Sequence, residues 1–189
     1  MKIIISGMPG SGKSTVAKLI AKQLGIPHYS MGDLQRKVAE EKGVTILELM
    51  KLEEKDPSID RQIDGEQKAL GTGKVDFVLD SRLGAYFIPH AEVRVFLEGN
   101  PDVLAKRIFL AGRKNEKYKD ITDAKKQAVE REQSNDLRYR KLYGVDYKAK
   151  RWYNCIIDTT DKTSEDVAEE IITFSRTMVR GKSLTKQRA

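Results

Sequence analysis

Residues 1–20 read MKIIISGMPGSGKSTVAKLI, and the eight from Gly7 to Ser14, GMPGSGKS, decide the fold. Before them Ile3-Ile4-Ile5 is an unbroken β-branched run, the pattern of a strand buried on both faces of a parallel sheet. After them Val16, Ala17, Ile20, Ala21 and Leu24 recur at three- and four-residue spacing, so a helix follows, closed by Gly25 with Pro27 beyond. Strand, glycine loop and helix in this order are the setting in which Gly7-x-x-x-x-Gly12-Lys13-Ser14 is a P-loop. Gly7, Gly10 and Gly12 let the backbone take conformations that a side chain resists, so that successive N–H groups turn inward around a phosphate. The helix beginning near Lys13 adds the positive end of its dipole. In such a loop Lys13 bridges the β- and γ-phosphates, Ser14 holds Mg²⁺ and Thr15 bonds an α-phosphate oxygen. ATP and Mg²⁺ are thus the expected cofactors, with Gly7, Met8, Pro9, Gly10, Ser11, Gly12, Lys13, Ser14 and Thr15 around the nucleotide.

The alternation continues down the chain. Phe77-Val78-Leu79, ending in Asp80, Val93 to Leu97, and Cys155-Ile156-Ile157, ending in Asp158, read as further buried strands, with a shorter one at Pro27-His28-Tyr29. Asn100-Pro101 supplies a cap and first-turn proline to one following helix, and Thr163-Ser164-Glu165-Asp166 resembles a capping box before another. From Gly32 to Leu70 the pattern is helical throughout, broken at Asp56-Pro57-Ser58. These elements predict an α/β fold: a P-loop doubly wound parallel sheet of about five strands flanked by helices, with ligands at the carboxyl ends of the strands. One domain is expected over 1–180, with a helical insert at about 30–70 and a basic flexible tail at 181–189.

A chain of 189 residues supports one sizeable core. With 39% apolar and 33% charged residues it has no apolar run able to span a bilayer, and the short run after Lys2 is no secretory h-region. A cytoplasmic location and no membrane partner are expected, and the single Cys155 agrees with a reducing compartment. The net charge of +7 is concentrated between Lys106 and Arg151, where 15 Lys/Arg face 7 Asp/Glu, which points to anionic partners. His28, His90, Cys155, Trp152 and Tyr153 read as packing or solvated residues, having no second ligand or nucleophile at a legible spacing.

Four stretches carry a family resemblance. Beyond the P-loop, Ser30-Met31-Gly32-Asp33-Leu34-Gln35-Arg36 resembles the Ser-x-Gly-Asp-x-x-Arg of nucleoside monophosphate kinases. Asp33 and Arg36, three apart at a helix start, share a face on which a carboxylate can sit near a metal and a guanidinium can clamp a phosphate. Asp80-Ser81-Arg82 is similar to the Asp-Gly-Arg of cytidylate kinases rather than to the Asp-Gly-Phe-Pro-Arg of adenylate kinases. Leu83 stands where bacterial cytidylate kinases have a second aspartate. Ala105-Lys106-Arg107-Ile108 to Gly112-Arg113-Lys114 resembles the start of a lid over about 112–123, and Arg131 with Arg138, seven apart, resembles a pair of phosphate-facing arginines. With Tyr143-Gly144-Val145-Asp146 and Ile156-Ile157-Asp158-Thr159-Thr160, the chain resembles the archaeal-type cytidylate kinases over about residues 1 to 178.

The resemblance implies phosphoryl transfer from ATP to CMP or dCMP. It implies catalytic Lys13, Arg113, Arg131 and Arg138, an ATP contact at Arg107, and acceptor contacts at Ser30, Asp33, Arg36, Arg82, Arg131 and Arg138. Mg²⁺ would be held at Ser14, Asp33 and Asp80. An adenylate- or uridylate-type kinase is the alternative within the class, and an ATP-dependent RNA-associated factor or switch is the alternative outside it. A monomer is expected, with any nucleic-acid contact confined to the tail.

Overall fold

The computed structural model describes residues 1–112 and 116–186. Five strands form one parallel sheet: β1 (Lys2–Gly7), β2 (His28–Ser30), β3 (Phe77–Asp80), β4 (Val93–Glu98) and β5 (Cys155–Asp158), in the order β2-β3-β1-β4-β5. The most apolar strand takes the centre. Ile3, Ile4 and Ile5 pair with Val78, Leu79 and Asp80 of β3 on one side and with Val93, Arg94 and Val95 of β4 on the other. Asp80 and Gly7 therefore end adjacent tracks at the same edge of the sheet.

The strand period sorts the isoleucines. Ile3 and Ile5 face a core completed by Val16, Ala17 and Ile20 of helix α1 (Lys13–Leu24) and by Val167, Ala168 and Ile171 of α8 (Ser164–Lys186). Ile4 faces the other way, onto Leu79, Ala85, Ile88 and Ala91. Every connection between neighbouring strands is a crossover, as parallel pairing demands. The caps fall where the sequence puts them: Asn100 accepts from the Asp102 amide at 2.9 Å ahead of α6 (Pro101–Leu110), and Thr163 and Asp166 cap one another. Helix α8 runs through Lys186, past residue 180, where the expected tail begins.

The helical insert is α2 (Met31–Glu41), α3 (Ile46–Lys55) and α4 (Pro57–Thr72), with Asp56 capping and Pro57 opening α4. It has its own apolar cluster of Val38, Ala39, Ile46, Leu49, Met50 and Ile59. A four-residue helix, α5 (Gly84–Phe87), lies between β3 and β4, where the sequence shows only a spacer. The long α7 (Ile121–Tyr143) packs on α6 and reaches across to α3, tying the insert to the body. No helix among the described residues is long and apolar enough to cross a membrane.

Candidate active site

The P-loop folds against β4 and α6. Gly7 has φ 147° and Gly10 φ 78°, and a Cβ on either would land on a carbonyl oxygen, of Leu97 and Leu104 respectively. Only glycine lets the loop lie this close to its neighbours. Gly12 opens α1 without a side-chain cap, so the first amides of the helix are left for a ligand. Lys13 Nζ donates to the Met8 carbonyl at 2.7 Å across the loop. Burial, and then the positive charge of Arg82, push the Lys13 ammonium down to about 7, although Asp80 and Glu132 oppose this. A polyphosphate in the loop would restore its full charge.

One cleft of about 380 Å³ runs from this loop across the sheet edge to α4. Along it lie Pro9, Gly10, Gly12, Lys13, Ser14, Thr15, Arg36, Asp80, Arg82, Arg107 and Arg131, all singled out in the sequence. Gly7, Met8 and Ser11 of the same loop do not line the cleft, and neither do Ser30, Asp33 or Arg138. Arg113 lies outside the described residues.

The ends of β3 and α1 bring Asp80 and Ser14 into contact, with the Ser14 hydroxyl donating to Asp80 Oδ2. Ser30 Oγ reaches the same oxygen at 3.3 Å. A hydroxyl and a carboxylate beside a phosphate loop are the hard oxygen donors that suit Mg²⁺, which is commonly held by one or two carboxylates together with substrate phosphates. Asp33 turns instead to Arg36 and, with Ser14, Thr15 and Lys18, borders a neighbouring groove. Its hydrogen bond to Arg36 and that cation's charge, outweighing partial burial, hold its carboxyl below the usual range.

Carboxylates hold Arg36, Arg82, Arg131 and Arg138, and backbone carbonyls hold Arg107. Glu116 bridges Arg36, at 3.8 Å, and Arg131, at 3.2 Å, and accepts from the Tyr118 hydroxyl at 2.7 Å. Arg82 faces Glu132 at 3.6 Å, whose two oxygens are held by the Tyr147 hydroxyl. Arg107 donates to the carbonyls of Thr159 at 2.8 Å and Thr160 at 3.1 Å, which clips α6 to the loop after β5 beside the P-loop. Arg138 points elsewhere. It is 2% exposed, and its Nη1 lies 2.6 Å from both Glu53 and Asp60 while Nη2 donates to Asn135 at 2.8 Å.

The cleft is also lined by residues that sequence reasoning missed: Gln35, Asp60, Asp64, Gln67 and Tyr139. Burial pushes the Asp64 carboxyl up to about 6, against the hydrogen bond from Tyr143, and pushes Glu53 up to about 7 against the charge of Arg138. The available signal was the spacing of Asp60, Asp64 and Gln67, which places them on one helical face.

The profile of the cytidylate kinase-like family matches residues 2–161. The chain is 37% identical over 172 residues to a cytidylate kinase of Archaeoglobus fulgidus, covering 91% of this chain and 93% of that one. It is 39% identical over 168 residues to a cytidylate kinase of Natronomonas pharaonis, covering 88% and 85%. A shikimate kinase from Acinetobacter baumannii shares the fold with a TM-score of 0.61 at 16% identity, over 93% of each chain. With a phosphate loop, a metal-suited oxygen pair and arginines along one cleft, the chain belongs to the cytidylate kinase-like family and is a nucleoside monophosphate kinase.

Proposed function

We propose that the enzyme transfers the γ-phosphoryl group of ATP to CMP or dCMP, giving ADP and CDP or dCDP. The observation that carries this reading is the continuity of the cleft. The P-loop, the polar face of α4 and the side chains of Arg36, Arg82 and Arg131 all line it. Three guanidinium groups suit a phosphate acceptor rather than a hydroxyl one, since each can pair with phosphate oxygens.

In this reading ATP lies with its phosphates in the P-loop and its nucleoside toward Arg107, Ile108 and Ser164. Lys13 spans the β- and γ-phosphates, while Ser14 and Asp80 would hold Mg²⁺, with Asp33 left to orient Arg36. Bound there, the metal would neutralise charge on the phosphate oxygens. Arg36, Arg82 and Arg131 hold the acceptor phosphate in line. One of its oxygens bonds to the γ-phosphorus as the bond to the β–γ bridging oxygen breaks, and ADP leaves with that oxygen. Arg138 fits as a positioning residue for Asp60 and Glu53 rather than as a phosphate ligand. The single domain over 1–180 and the insert at 30–70 closing on the monophosphate belong to the same proposal; the expected lid at about 112–123 includes 113–115, which lie outside the described residues.

ADP release from Mg-ATP, measured by coupled assay with CMP, dCMP, UMP, AMP or no acceptor, tests it. Strong stimulation by CMP or dCMP is the expected result. Equal slow release in every tube would refute it.

A further inference from the structure

The α4 side of the cleft holds an unspent acceptor. Asp60 is 5% exposed and lines the cleft; its Oδ1 is taken by Arg138, while its buried Oδ2 has no hydrogen-bond partner among the described residues. Buried polar atoms are normally paired, so an orphan on a residue that lines a cleft can take a donor from the ligand. Asp64, one turn further along α4, lines the same wall, and residues four apart on a helix are neighbours. Its carboxylate is fixed: Gln67 Nε2 donates to Oδ1 at 2.7 Å and the Tyr143 hydroxyl to Oδ2 at 2.5 Å. Gln67 is itself oriented by the Ser81 hydroxyl at the end of β3. Each carboxylate oxygen has a second lone pair, so Asp64 retains room to accept from a ligand.

We propose that Asp60 and Asp64 together read the exocyclic amino group of the acceptor's base, and that this pair makes the enzyme choose a 4-amino pyrimidine over a 4-oxo one. The inference rests on the reading of this cleft as the acceptor site. An amino group on an aromatic ring is flat and carries two N–H donors, so two fixed anionic acceptors one helical turn apart take one each. A 4-oxo pyrimidine puts carbonyl lone pairs there, which the carboxylates repel, and leaves Asp60 Oδ2 unpaired. Sites built around hydrogen bonds reject such analogues strongly because their own buried groups stay unsatisfied. The arginines cannot make this choice, because CMP and UMP carry the same phosphate.

The test compares kcat/KM for CMP, for UMP and for the monophosphate of 2-pyrimidinone riboside, which is cytidine without its amino group. It uses the wild-type enzyme and the variants Asp60→Asn and Asp64→Asn. The wild type is expected to favour CMP over both others by about 100-fold or more. Each variant should lower the CMP-to-UMP ratio by at least about tenfold, mostly through KM for CMP, with KM for ATP unchanged. Equal use of CMP and its des-amino analogue by the wild type, or ratios preserved in both variants, would overturn the proposal while leaving the kinase reading intact. No stimulation by any acceptor would overturn both. The analogue comparison needs no substitution, so it can still overturn the proposal if a variant at these buried positions does not fold.

Discussion

Replacing Arg138 with methionine separates two roles for this residue: a phosphate ligand, as its spacing from Arg131 suggests, or the cation of a buried network. Its guanidinium lies 2.6 Å from both Glu53 and Asp60, which are 1% and 5% exposed. Methionine fills similar space without charge and leaves two buried carboxylates facing each other. Breaking a buried ion pair in this one-sided way costs about 3–5 kcal/mol. In a chain of this size that lowers Tm by about 10 °C or somewhat more. The loss should depend on pH. Glu53 is raised from 4.5 to about 7 by burial, with Arg138 pulling it down, so the folded state holds more protons than the unfolded state across that window. Wild-type stability on this account is fully present below 4.5 and falls as pH rises to about 7, by roughly 3 kcal/mol. Without Arg138 the carboxyl rises further, so the deficit of the variant should be larger at pH 8 than at pH 5. Glu53→Gln placed in the Arg138→Met background should recover part of the loss. Scanning calorimetry at the two pH values, alongside the coupled kinase assay, gives both readouts. An unchanged Tm with a collapse of kcat would refute the reasoning and restore Arg138 to the phosphates.

Glu116 sits between Arg36 and Arg131 as an internal anion. Glu116→Gln should lower KM for CMP several-fold, because the acceptor phosphate no longer displaces a carboxylate; a raised KM in steady-state kinetics would contradict this. Lys13, lowered to about 7 by burial and then Arg82, must be charged to pair with polyphosphate. ATP binding at pH 8 should therefore take up about one proton, and affinity should fall as pH rises above 7. Titration calorimetry in two buffers of different ionisation enthalpy measures this, and zero uptake would count against it. Gly10→Ala forces a Cβ onto the Leu104 carbonyl at φ 78°, which should cost about 2 kcal/mol or more and abolish ATP binding, read by denaturant unfolding and nucleotide titration.

Local signals were legible because their physics is local. The P-loop joins a buried β-branched strand to a helix within one stretch, and the sheet edge brings Asp80 to Ser14 through ordinary parallel register. The caps at Asn100 and Thr163 use partners within three residues, so spacing alone reveals them. Arg131 and Arg138 were harder. Seven residues give them one face of α7, but also about 10 Å of separation along its axis. Arg131 consequently meets Glu116, and Arg138 meets the acids of α3 and α4.

From the sequence alone follow a parallel sheet, a phosphate loop and a set of arginines, one just after β3 and the others on helices α2, α6 and α7. The polar face of α4 reads identically whether it meets water or protein, since helical spacing fixes which residues share a face but not what covers it. Only the packing of α7 against the insert buries Asp60 and Glu53 around Arg138, and only the fold brings Asp60 and Asp64 into the wall of the phosphate cleft. Those contacts join residues more than seventy positions apart, and burial decides the chemistry of a carboxylate that spacing cannot.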